Sequence, residues 1–210
     1  MEDHVRALAS TVAGADNTVI VLTHGHADHA AAAPQLAAET GAEVWGPEDL
    51  SGVDRVLTDG DTIDTDWGSL ITVHTPGHTA EHICLHWAER RAIFVGDLLL
   101  GQGDTTWVAE YPGCVADYLA SIARLKNLEL SVIYPAHGPA LERAGEALGR
   151  FETHRLARVQ QVREAMTTHP HADLDELIGV VYGAALPQGM RGAAGMSLSA
   201  LVDYVRETED

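Results

Sequence analysis

The sequence predicts an α/β protein (α+β by some schemes) in which two sheets are sandwiched by helices. Three observations carry that prediction. Short apolar, strand-like runs alternate with segments of helical periodicity along residues 1–144. Four of those runs end in histidine or aspartate, as expected where strand ends converge on one edge of a sheet. Residues 145–210 drop the alternation and read as helices alone, a small C-terminal module.

The elements follow in order. A first helix is expected over residues 3–13, with Val5, Leu8, Ala9 and Val12 on one face, and a strand over 18–23. A second helix follows the histidine-rich loop, tolerates Pro34 in its first turn and stops at Gly41. Residues 42–45 and 53–57 read as short strands, and Thr58-Asp59-Gly60-Asp61 as a turn. Strands are expected near 70–75, 83–87 and 92–95, with Glu89-Arg90-Arg91 turning the chain between the last two. Residues 115–126 are helical, with Leu119, Ile122, Ala123 and Leu125 toward the core. In the tail a long charged helix covers 145–168. Asp173 caps a second helix over 173–182, and Ser197 caps a third bearing Leu198, Leu201, Val202 and Val205.

The chemistry is concentrated in Thr23-His24-Gly25-His26-Ala27-Asp28-His29, directly after Val19-Ile20-Val21-Leu22. Nitrogen and oxygen donors this close, at a strand end, are what a borderline divalent metal needs. His24 and His26 are two apart and point the same way on extended backbone. Asp28 and His29 come after the chain has begun to turn, so they can face a second position nearby. The spacing predicts two metals sharing one loop. It differs from the helical metalloprotease motif, which needs His at i and i+4 around a Glu. Thr75-Pro76-Gly77-His78-Thr79, Gly96-Asp97 and Tyr134-Pro135-Ala136-His137-Gly138 each place one more donor after a strand-like run.

In the order HxHxDH, TPGHT, GD and PAHG, the sequence resembles the metallo-β-lactamase superfamily from its N-terminus to about residue 158. The resemblance implies an αββα sandwich. It makes His24, His26 and His78 ligands of a first metal, and Asp28, His29 and His137 ligands of a second, with Asp97 bridging both. It is nearest the subfamily of the lactamase-beta-like endoribonuclease, through Thr79-Ala80-Glu81-His82, Gly101-Gln102-Gly103 with Asp117-Tyr118-Leu119, and the helical tail. Two departures stand out. Ala30-Ala31-Ala32-Ala33 replaces a usual glycine after the first motif. The family's opening strands and Asp-x-Gly turn are missing ahead of the first helix, so the expectation is an N-terminally shortened member. The tail would be a winged-helix-like module without its wing hairpin, serving packing or dimerisation.

Composition narrows the partners. Hydrophobic residues at 46% and charged residues at 21% exclude a wholly disordered chain. Thirteen Lys and Arg against 31 Asp and Glu give a net charge of -18, which repels phosphate backbones and anionic membranes. Nucleic acid is therefore a poor partner and a membrane none. Cys84 and Cys114 form no CxxC and no disulfide framework, and no signal-like N-terminus precedes the first helix, so a cytoplasmic location is expected.

The remaining histidines read as structural, His74, His86, His154, His169 and His171 among them. His82 is the exception. Four residues beyond His78, it could support the ligands or face substrate. Trp107 and Tyr111 could wall a pocket or anchor the loop that carries them.

The metals would bring the pKa of a shared water toward neutrality and polarise the scissile group, with Asp97 bridging and Asp28 orienting the nucleophile. Two zinc ions per chain are expected, with iron or manganese admitted by a sulfur-free site. The leading expectation is a hydrolase of a small thioester, ester or lactone. Single-strand RNA cleavage is the alternative, and it would want Arg or Lys near the pocket, where the motifs offer Arg55, Arg90 and Arg91. A catalytically silent member acting in oligomeric interactions and an iron-dependent dioxygenase are the readings from other classes.

Overall fold

A computed structural model describes residues 2–183 and 185–209. Two sheets form its centre. The first has three parallel strands in the order β1 (Val19–Val21), β2 (Glu43–Pro47) and β3 (Arg55–Leu57). The second has five, in the order β4 (Thr62–Thr65), β5 (Gly68–His74), β6 (Ile83–Trp87), β7 (Ala92–Phe94) and β8 (Val132–Tyr134). Its pairings are antiparallel except β7 with β8, which are parallel. Helices α1 (Glu2–Thr11), α2 (Ala27–Ala30) and α3 (Ala33–Thr40) accompany the first sheet, and α4 (Cys114–Lys126) and α5 (Ala144–Thr168) the second. Helices α6 (Leu174–Tyr182) and α7 (Arg191–Glu209) complete the tail.

Period-two alternation explains why the second sheet is covered on both faces. On β6, Ile83 and Leu85 point into a cluster with Leu57 and Ile63, packed by Val21, Trp45 and Phe94, between the two sheets. Cys84, between them, points the other way into the main core with Ile93, Tyr118, Ile122 and Phe151. Fully burying an aliphatic side chain such as Ile83 contributes roughly 1.5–3 kcal/mol. A third cluster of Leu22, Ala33 and Val44 seats α3 against the three-stranded sheet. The main core continues without a break into the tail through Val159, Val162, Leu177, Ile178, Leu198 and Val205.

The expected elements are present, with differences at three places. The helix after the histidine-rich loop is two helices, α2 and α3, and Asp28 and His29 sit in the first of them. Pro34 lies in the first turn of α3, and Gly41 ends it in the left-handed region at φ 72°. Strand β4 has no counterpart in the sequence reading. Its Thr-Ile-Asp-Thr stretch buries only Ile63, too little apolar signal to announce a strand. Asp173 caps α6 through a full capping box with Glu176. Ser197 is not a cap. Helix α7 starts at Arg191 and runs through Gly192 and Gly195, so Ser197 lies inside it. Gly195 faces α6, where a Cβ would lie in ordinary contact with Ile178 Cδ1 at 3.4 Å. Among the described residues no helix is long and apolar enough to cross a membrane.

Candidate metal centre

Hydrogen bonds between strand ends gather the motifs. Ile83 N–H donates to Thr23 O at 2.9 Å, joining the end of β1 to β6 across the sheets. Val95 N–H donates to Tyr134 O at 3.0 Å and Ala136 N–H to Gly96 O at 2.9 Å, so the aspartate and the last histidine arrive side by side. Glu81 accepts the Gly25 N–H at 3.1 Å and holds the histidine-rich loop from outside. The turn carrying His78 packs so tightly on α4 that a Cβ on Gly77, at φ +134°, would lie 2.5 Å from Tyr118 Cα.

The result is one cluster. His24 Nε2 lies 3.1 Å from His26 Nδ1, and His78 Nε2 lies 3.0 Å from the same atom. His29 Nε2 is 3.5 Å from Asp97 Oδ2, and His137 Nε2 is 3.2 Å from Asp28 Oδ2 and 3.6 Å from Asp97 Oδ1. His78 Nε2 approaches Asp97 Oδ2 to 3.8 Å. All seven donors predicted from the sequence are therefore brought together. They fall into overlapping groups of His24, His26 and His78, of His24, His29 and Asp97, and of Asp28, His29 and His137.

This donor set fits divalent metal ions. Two nitrogens on one tetrahedral ion with bonds of about 2.0–2.1 Å lie about 3.4 Å apart, close to the spacings found. His78 Nδ1–H donates to the Trp107 carbonyl at 2.9 Å, which leaves Nε2 with its lone pair toward the cluster. His24 Nδ1 meets the Thr23 hydroxyl at 3.1 Å, and His26 Nε2 faces Glu110 Oε1 at 3.6 Å, so each ring is oriented from behind. His29 Nε2 and Asp97 Oδ1 are buried without a hydrogen-bond partner, the condition expected of atoms arranged for a cation.

Electrostatics agrees. Burial, with His29, His78 and His26 alongside, lowers the His24 pKa to about 3, and burial also lowers that of His78. Both imidazoles are thus neutral, as ligation requires. Burial pushes Asp97 up, but His29, His137 and His78 outweigh it and hold the carboxyl below its usual value. The facing Asp97 carboxylate raises His29. A backbone N–H at the start of α2 holds Asp28 low.

His82 supports the cluster from behind. It is fully buried, so contact with a substrate is closed to it. Its Nε2 accepts the Asp97 backbone N–H at 3.3 Å, and its Nδ1 meets the Thr75 hydroxyl at 3.0 Å. Burial holds it neutral. Trp107 contributes its carbonyl to His78 and bonds its indole N–H to Glu110 Oε1 at 2.6 Å. Tyr111 is an anchor, donating to Asp117 Oδ2 at 2.8 Å and packing on the main core. Glu110 behind His26 escaped the sequence reading, since no motif surrounds it.

A model of the metallo-beta-lactamase superfamily matches residues 6–53 and 45–137, the segment that builds this cluster. The chain belongs to the metallo-β-lactamase superfamily. It is 30% identical over 202 residues to a beta-lactamase-like protein 2 homolog of Caenorhabditis elegans, covering 91% of this chain and 66% of that one. A thioesterase of Emericella nidulans is 31% identical over 150 residues, covering 71% of this chain and 43% of its own. This superfamily member therefore spans about two thirds or less of the length of these curated relatives. The crystal structure of a metallo-beta-lactamase family protein from Thermus thermophilus matches with a TM-score of 0.77 at 20% identity, covering 99% of this chain and 80% of that one. That likeness is one of fold.

Proposed function

We propose that this chain is a dinuclear metal-dependent hydrolase of small acyl compounds, namely thioesters, esters or lactones. The observation that carries the reading is the convergence of two donor groups on the buried carboxylate of Asp97. His24, His26 and His78 would hold one ion and Asp28, His29 and His137 the other, with the Asp97 carboxylate within reach of both groups. The sulfur-free set suits zinc first and admits iron or manganese.

Bound ions would polarise the scissile carbonyl and bring the acidity of a water toward neutrality. The protein's own groups do the rest. Asp28 is exposed on α2 and held in its ionised form, so its carboxylate can orient an attacking water by accepting a hydrogen bond from it. Asp97, backed by His82 at its N–H and by the Thr106 hydroxyl at its carbonyl, keeps the two groups in register. Glu110 and the Trp107 carbonyl fix the rings of His26 and His78.

The thioesterase relative supports acyl chemistry, and the net charge of -18 supports a small substrate over RNA. Free, buried Cys84 and Cys114 support a reducing, cytoplasmic setting. The test is an assay of the metal-loaded chain against a thioester, a lactone and single-stranded RNA, with metal measured by plasma mass spectrometry. The expected result is thioester or lactone hydrolysis at about two ions per chain, lost on chelation and restored by metal. Cleavage of RNA alone, or a folded chain that retains no metal, would overturn the reading.

A further inference from the structure

A cavity of about 370 Å³ opens between the 100–108 loop and the C-terminal helices. Trp107, His154, Arg155, Arg158, Tyr182 and Ser197 line it, and none of its lining residues is acidic. That is unexpected in a chain with 13 Lys and Arg against 31 Asp and Glu.

Arg155 is only 4% exposed. Its Nη2 donates to the Thr106 carbonyl at 2.9 Å and its guanidinium lies 5.1 Å from the centre of the Tyr118 ring, but Nε has no hydrogen-bond partner. Arg158 donates to Gln161 Oε1 at 2.8 Å and covers the Tyr182 ring at 5.3 Å. Among the described residues neither arginine is paired with a carboxylate. Asp104, whose charge acts on His154, is already bound to Arg150 at 2.9 Å. A guanidinium buried without a counter-ion is costly, and its fork of N–H donors matches an oxyanion.

We propose that this cavity is an oxyanion-binding site, which takes a carboxylate or phosphate group on Arg155 and Arg158 with His154 and Ser197 as further donors. Thr106 links it to the metal centre, since its carbonyl accepts from Arg155 and its hydroxyl donates to Asp97 O at 2.7 Å. The oxyanion is either the acidic end of the substrate or a free anion.

The test compares wild type with Arg158→Gln, both metal-loaded, in thermal melts against succinate and inorganic phosphate. Succinate or phosphate raises the wild-type melting midpoint saturably, and Arg158→Gln needs about tenfold more for the same rise. Metal content is equal in both, which separates this site from anion binding at the metals. Arg155→Lys, which keeps the charge but loses the fork, also weakens the response. No rise in wild type, or the same rise in wild type and Arg158→Gln, overturns the proposal. A second arm identifies the source. If a thioester ending in a carboxylate loses kcat/KM in Arg158→Gln while its amide-ended analogue does not, the oxyanion is the substrate's own. An equal effect on both assigns the site to a free anion. Should neither thioester be hydrolysed, the hydrolase reading fails while the melts still decide the site.

Discussion

The two donor groups of the metal centre are built differently. The group of His24, His26 and His78 is the inner one. His24 is fully buried, His78 is 3% exposed, and each ring of the group has a polar partner: Thr23 for His24, Glu110 for His26 and the Trp107 carbonyl for His78. The group of Asp28, His29 and His137 is the outer one. The Asp28 and His137 side chains are 62% and 50% exposed, and they stand on a four-residue helix and a loop. Burial keeps His24 and His78 neutral, whereas His29 is biased toward its protonated form by Asp97. Protons therefore compete harder at the outer position, and the difference teaches that one ion should be held more firmly than the other.

The most damaging way to break that asymmetry is Asp97→Asn, because the Asp97 carboxylate lies 3.8 Å from His78 Nε2 in one group and 3.5 Å from His29 Nε2 in the other. We expect loss of both ions and a fall in hydrolysis of about a thousandfold, since several kcal/mol of charge stabilisation disappear together. Retention of two ions in mass spectrometry would show that Asp97 is not shared.

A paired comparison comes next. His137→Ala should retain the inner ion and lose the outer one, whereas His24→Ala should lose the inner ion and also leave a buried hole. Removing a fully buried side chain from the centre of the fold costs about 2–4 kcal/mol, and only His24→Ala should lose that much stability in thermal melts. Equal metal loss in both variants would erase the distinction between the groups.

The smallest effect sharpens the comparison from behind the inner group. Asp59 pairs with Arg124 at 2.8 Å and accepts the His74 N–H at 2.8 Å, bracing the turn that carries His78. The Arg124 guanidinium and that N–H hold its pKa below the usual 3.8. A depressed carboxylate contributes stability above its unfolded pKa and loses it as pH falls through the folded one. Asp59 is half exposed, so Asp59→Asn should cost about 1 kcal/mol or less near neutrality. Melts of variant and wild type should converge below about pH 4. A constant gap down to pH 2 would assign the loss to packing.

The seven donors that the structure brings together were legible because each follows an apolar strand and offers atoms that a core does not use. His24 and His26 at an interval of two, and Gly77 before His78, state their geometry locally. What supports them was not legible. Glu110 reaches His26, and Thr106 reaches Asp97, through loops that no periodicity describes. Arg155 looks in sequence like one more charge on a long helix, and only the tertiary fold buries it against Tyr118. The basic residues sought among Arg55 and Arg90 stack on Trp45 and Trp87, while the acid-free cavity draws its arginines from α5. Ser197 misled because a serine before an apolar face imitates a cap, and glycines at 192 and 195 imitate a break.

Gly101 rests on the loop of the last histidine so closely that a Cβ there would lie 2.3 Å from the Pro139 carbonyl oxygen, and its N–H donates to His137 O at 2.7 Å. The two loops are thereby clasped backbone to backbone. In evolutionary terms this stretch of the rim can neither lengthen nor drift one loop at a time. New substrate ranges would have to come from exchanging side chains on a fixed frame, with insertions confined to loops away from the clasp.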